Sequence, residues 1–136
     1  MTPAVVYDCG MLIALAHRDR PAVDHHLRLI RSTAPLVPGP VLAQVWRAGA
    51  ATRFALSRCL RDCDIVTAYD IQDYRRVGVM LGNVSPPPKK RADVVDALVV
   101  LTAAGYGRAA VLTSDPRDIA AYADTLPKAS ITVVPV

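Results

Sequence analysis

Asp93-Val-Val-Asp-Ala-Leu-Val-Val-Leu-Thr-Ala-Ala104, the break Gly105-Tyr-Gly-Arg108, then Ala109-Ala-Val-Leu-Thr-Ser-Asp115 is the stretch whose reading decides the fold. Wound as a helix, its first part is apolar nearly all round, the mark of a helix buried in the middle of a domain. Its second part, Ala109–Thr113, is a continuous apolar run, as a strand covered on both faces requires, and sheets covered on both faces are typically parallel. Ala4–Tyr7 and Ile131–Val134 read as strands of the same kind, with shorter ones at Leu36–Val37 and Ile65–Thr67. Helices fill the intervals: Gly10–His17, a second opened by Pro21, one from about Val41 to Ala50, Arg53–Arg61 capped by Thr52, one from Asp70 to Gly82-Asn83, and Asp115–Asp124. Strands separated by helices imply crossover units. The expectation is a single three-layer α/β domain over residues 1–136, with a parallel sheet of about five strands.

Composition narrows the function. A hydrophobic fraction of 52% excludes a disordered chain. Aromatics at 5% argue against a base-stacking platform. Sixteen cations against twelve acids leave +4, a mild surplus that permits RNA or another anionic partner without requiring one. All twelve acids are Asp; the chain contains no Glu. The longest apolar runs, Met11–Ala16 and Ala97–Ala104, fall short of the ~20 residues of a spanning helix. No cation precedes the first apolar run and Asp8 interrupts it, so no secretory signal is read. Three cysteines without a disulfide framework fit a reducing compartment, and the expected location is the cytoplasm. Cys59 and Cys63 are expected as small buried hydrophobes and His25-His26 as solvent-facing. Val23, Leu27 and Ile30 are expected to form one apolar stripe, and Phe54, Leu56 and Leu60 to supply another helix's contacts. Trp46 is expected in the core beside Val41, Leu42 and Val45.

The acids fall at telling places. Asp8 directly follows the first strand and Ser114-Asp115 the fourth, and open parallel sheets bind ligands beyond the carboxyl ends of their strands. Asp96 lies one turn into the buried helix, with Asp93 three residues before it. Two readings stand. Asp93-Val-Val-Asp96 and Asp115-Pro-Arg-Asp118 both resemble helix caps, and Asp70-Ile-Gln-Asp73 shows the same pattern after the third strand. Alternatively the acids converge. Carboxylates within ~4–6 Å repel by up to several kcal/mol and call for a bound cation or shifted pKa values. Oxygen-only ligands suit Mg²⁺ or Mn²⁺, and such an ion beside a phosphodiester activates water for hydrolysis.

Val5-Val-Tyr-Asp8-Cys-Gly-Met-Leu-Ile-Ala-Leu15, Pro40-Val-Leu-Ala-Gln44-Val-Trp-Arg47, Asp93-Val-Val-Asp96-Ala97 and Leu112-Thr-Ser-Asp115-Pro-Arg-Asp118, in this order and spacing, resemble a PIN domain. More narrowly, the chain is similar to the VapC-type toxins of bacterial toxin–antitoxin pairs, over essentially its whole length. The resemblance implies an α/β/α sandwich with strand order 3-2-1-4-5 and Mg²⁺- or Mn²⁺-dependent RNA cleavage. It also implies a homodimer and a cognate VapB-like antitoxin whose C-terminal segment lies across the cleft. Asp8, Asp96 and Asp115 match the family's metal-binding acids. Asp93 and Asp118 match accessory carboxylates, and Thr113 or Ser114 the small hydroxyl residue beside the last acid. One position departs: the family's Glu on the helix after the second strand stands here as Gln44. A Gln can accept a hydrogen bond but carries no charge.

Arg47, one turn from Gln44, is a candidate to pair with site carboxylates or a partner's acid, or else a plain surface residue. Lys89-Lys90-Arg91 precedes Asp93 and is expected near the cleft mouth, either to neutralise RNA phosphates or as an ordinary solvated loop. The rival to the enzyme is a PIN-fold protein that grips RNA or its antitoxin without cleaving. A phospho-acceptor receiver domain shares the parallel sheet, but its paired acids after the first strand and Lys after the last are absent.

Overall fold

The computed structural model describes residues 3–136. Five strands, β1 (Ala4–Tyr7), β2 (Leu36–Pro38), β3 (Asp64–Val66), β4 (Arg108–Thr113) and β5 (Ser130–Pro135), form one sheet. Every pairing is parallel and the order is β3-β2-β1-β4-β5, as expected. The helices are α1 (Cys9–Ala16), α2 (Arg20–Leu29), α3 (Gly39–Trp46), α4 (Ala50–Leu60), α5 (Ile71–Asn83), α6 (Val94–Ala104) and α7 (Pro116–Ala123). α1 packs against α2, α3 and α4, and α6 against α5 and α7, the two groups that right-handed crossovers place on opposite faces of such a sheet. α6 packs on β1, β4 and β5, and six of its eleven residues are buried, which its all-round apolar sequence demands.

Helix starts follow local chemistry. Pro40 sits inside the first turn of α3, where its missing N–H costs nothing, so Pro38-Gly39-Pro40 opens that helix and does not merely precede it. α4 begins at Ala50 with Gly49 in extended backbone as its N-cap, so Thr52 is not the cap. Asp70 and Asp73 form a reciprocal capping box on α5: each carboxylate accepts from the other's backbone N–H at 2.9 Å.

Several burial expectations are corrected. On α2 the buried pair is Ala22 and His26, spaced i, i+4, and Leu27 is 55% exposed. On α4 Leu56 is buried while Phe54 is 69% exposed. Trp46 is 37% exposed, because Val41 and Val45 define the inward face of α3 and the next residue turns about 100° away. The three thiols are half-buried and free, and burial pushes Cys9 and Cys63 up to about 12, so they persist as unreactive thiols.

His26 is not solvent-facing. Its Nε2 donates to Asp62 Oδ2 at 3.2 Å, leaving Nδ1 to accept from the fully buried Tyr7 hydroxyl at 2.8 Å. This chain ties β1, α2 and the α4–β3 turn together directly behind Asp8. His26→Ala should cost about 2–3 kcal/mol, since it strands the Tyr7 hydroxyl without a partner. Urea denaturation reads the cost; an unmoved midpoint would show that the bond adds nothing.

Candidate active site

β1 and β4 run side by side with Tyr7 level with Leu112, which brings Asp8 beside Thr113. Asp8 is buried and is the N-cap of α1, its Oδ1 accepting from Met11 N–H at 2.8 Å. Thr113, fully buried, accepts from Asp115 N–H at 2.8 Å, and its hydroxyl lies near enough to the Asp8 carboxylate to favour the charged form. One hydroxyl thus couples the turn that carries Asp115 to Asp8. The first turn of α1 lies tight against the β4–α7 turn. A Cβ on Gly10 would overlap Ser114 Oγ and stand 3.2 Å from the Ser114 backbone nitrogen, so only glycine fits without displacement.

Asp93 is the N-cap of α6 and accepts from Asp96 N–H at 3.0 Å. Its own N–H donates to Tyr122 Oη at 2.5 Å, which locks α7 to the start of α6. Asp96 is half-buried on the first turn.

Electrostatics identify what these residues share. Burial, reinforced by the charges of Asp93, Asp8, Asp118 and Asp115 in that order, pushes Asp96 up to about 7. Asp8 is pushed up to about 6, by burial first and then by Asp115, against the pull of the Thr113 and Met11 hydrogen bonds. Cys9 feels Asp8, Asp96 and Asp93 as well. All five predicted acids therefore act on one region at the carboxyl ends of β1 and β4. Among the described residues, however, no three His, Cys or Asp side chains stand close enough together to ligate one ion. The acids form a loose group, not a preformed cage.

The donor set still fits a hard divalent cation: carboxylate oxygens only, whose repulsion an ion would relieve. Asp115 is exposed and, unlike Asp70, makes no capping hydrogen bond, so its carboxylate has no evident structural duty. Asp8 and Asp93 do cap helices, so for them capping and clustering coexist. Beside Asp115 and Asp118 opens a cleft of about 460 Å³, walled by Pro87, Pro88 and Pro116. A larger cavity, about 580 Å³, lies at the far end of α6 around Gly105 and Leu126 and touches none of the five acids. Of the five acids, Asp115 and Asp118 line the smaller cleft.

Of the remaining predicted residues, Lys90 reaches the cleft and pairs with Asp118 at 3.5 Å. Gln44 is exposed on α3, a helix that approaches α6, but no hydrogen bond from it acts on Asp8 or Asp96. Arg47, Lys89 and Arg91 are exposed, and none joins an ion pair among the described residues. Sequence reasoning missed Gly10, Tyr122 and Arg117. Only Gly10 carried a signal, a glycine two residues beyond a strand-end acid.

The raised acids set a pH dependence. With ordinary values of 3.8 and folded values of about 6 and 7, the folded protein binds more protons than the unfolded one across that interval. Their contribution to stability is complete below pH 4 and is lost as pH rises to about 7. In EDTA, thermal melts should show this loss, on the order of 2 kcal/mol once solvent access to Asp96 is allowed for. Mn²⁺ should flatten the profile; a metal-free stability that rises over the same interval would contradict the clustering.

No protein-family model and no curated protein matches the chain. Fold and acids together define an α/β/α domain with a loose group of carboxylates at the ends of two neighbouring strands, β1 and β4.

Proposed function

We propose that the chain is a PIN-domain endoribonuclease of the VapC toxin kind, cytoplasmic, homodimeric and held in check by a VapB-like antitoxin. The observation that carries this reading is the action of Asp93, Asp8, Asp118 and Asp115 on the single carboxyl of Asp96. Caps need not meet in space, and these acids are near enough to feel one another.

Asp8, Asp96 and Asp115 would hold Mg²⁺ or Mn²⁺, with Asp93 and Asp118 as accessory carboxylates. When bound, such an ion supplies charge for the phosphate oxygens and an acidified water. The chain's own residues do the positioning. Met11 N–H and the Thr113 hydroxyl fix the Asp8 carboxylate, and Tyr122 and Asp93 fix the turn that presents Asp96. In the reaction, water oxygen bonds to phosphorus, the bond to the leaving ribose oxygen breaks, and that oxygen takes up a proton.

A second reading is favoured by two observations: Gln44 in place of a carboxylate, and a set of acids too loose to grip an ion without movement. On that reading the protein binds RNA or its antitoxin and does not cleave. Purified protein incubated with structured RNA and Mn²⁺ separates the two. Cleavage that survives purification and vanishes in Asp8→Asn supports the enzyme.

A further inference from the structure

We infer that the cleft beside Asp115 is a phosphate subsite for single-stranded RNA, in which Lys90 exchanges Asp118 for a phosphate of the incoming strand. The inference rests on the nuclease reading and names the substrate contact of the same site.

The local backbone is the first observation. Lys90 N–H donates to the Pro87 carbonyl at 3.0 Å, closing a four-residue turn, and Lys89 at its third position has φ 68°. Proline at the second position with positive φ at the third defines a type II turn, which favours Gly there. A lysine in that conformation is strained, and such strain concentrates at binding and switch segments. The turn aims Lys90 back across the cleft at Asp118. In that pair the Lys90 side chain is 56% exposed and the Asp118 side chain 18%, so the cation is the outer, accessible partner.

Charge and shape supply the rest. The cleft holds two cations, Lys90 and Arg117, against two acids, Asp115 and Asp118. A phosphate must therefore compete with Asp118 for Lys90 and is attracted only weakly while that pair holds. Asp118 pairs with Lys90 and also lies near enough to Asp96 for its charge to act on that acid. Three prolines make rigid apolar walls, and the volume lies in the range of small-ligand sites, suiting one nucleotide unit more than a duplex. A cation gathered by the acids would draw Asp118 inward and free Lys90, so metal and RNA should each tighten the other's binding.

The test is fluorescence anisotropy of a short single-stranded RNA with the full chain in EDTA, across about 50–200 mM salt. Lys90→Met should weaken binding about three- to tenfold and lower the salt slope by about 0.7, one phosphate contact on a single strand. Asp118→Asn should tighten binding by a similar factor, and that gain should disappear in the Lys90→Met background. Lys128→Met, far from the cleft, should change nothing. Lys90→Gln guards against a packing effect of the Met side chain and should behave as Lys90→Met does. RNA binding indifferent to Lys90, or shifted the same way by Lys90→Met and Asp118→Asn, overturns the subsite and leaves the nuclease reading standing. A wild-type protein that neither binds nor cleaves RNA at low salt, with Mn²⁺ as well as in EDTA, overturns both.

Discussion

Asp96→Asn should abolish Mn²⁺-dependent RNA cleavage, by about 10²–10³-fold or more, while making the metal-free protein more stable above pH 7. The opposite signs come from one cause. Burial first, and then the charges of four neighbouring Asp residues, push Asp96 up to about 7, so ionising it is unfavourable unless a cation is present. Asn keeps the shape and leaves the backbone bond from Asp96 N–H to Asp93 in place, but removes the charge. The gain should be on the order of 1 kcal/mol at pH 8, read as a raised melting temperature in EDTA. A variant that loses cleavage and stability together would mean that Asp96 is structural. One that keeps cleavage would remove it from the site.

Gln44→Glu should strengthen Mn²⁺ binding about ten- to a hundredfold and raise cleavage accordingly. A carboxylate brought within about 4 Å of a divalent ion contributes several kcal/mol at an effective dielectric near 20, reduced here because Gln44 is exposed. The helix that carries it approaches α6, and Glu, with the same reach as Gln, adds a negative charge there. In the metal-free protein the same change should push the Asp96 pKa higher still. No gain in metal affinity would place position 44 outside the site. Cleavage appearing only in Gln44→Glu would favour the binding-protein reading for the natural chain.

Much of this was legible in the residues, for physical reasons that also explain the failures. Continuous apolar runs forced a parallel sheet, and the all-round apolar Val94–Ala104 had to be buried. That β1 and β4 are neighbours lies in no spacing; the PIN resemblance supplied that order, and the pairing of Tyr7 with Leu112 bears it out. Local periodicity, properly phased, would have placed Trp46 and Leu27 outside, because Val41–Val45 and Ala22–His26 already define the inward faces. The burial of His26 was not legible, because its partners Tyr7 and Asp62 lie 19 and 36 residues away. The roles of the acids were ambiguous for a deeper reason. Asp8 and Asp93 cap helices and also face the cluster, so the two readings were never exclusive.

Calorimetric titration of Mn²⁺ into the purified protein near pH 6.5, repeated in buffers of different ionisation enthalpy, tests the central claim most directly. At that pH Asp96 is mostly protonated and Asp8 only partly so in the metal-free protein, so binding should release about one proton. The account predicts binding with proton release by the wild type, tighter binding by Gln44→Glu, and none by Asp96→Asn. Absence of both heat and proton release in the wild type and in Gln44→Glu would contradict it.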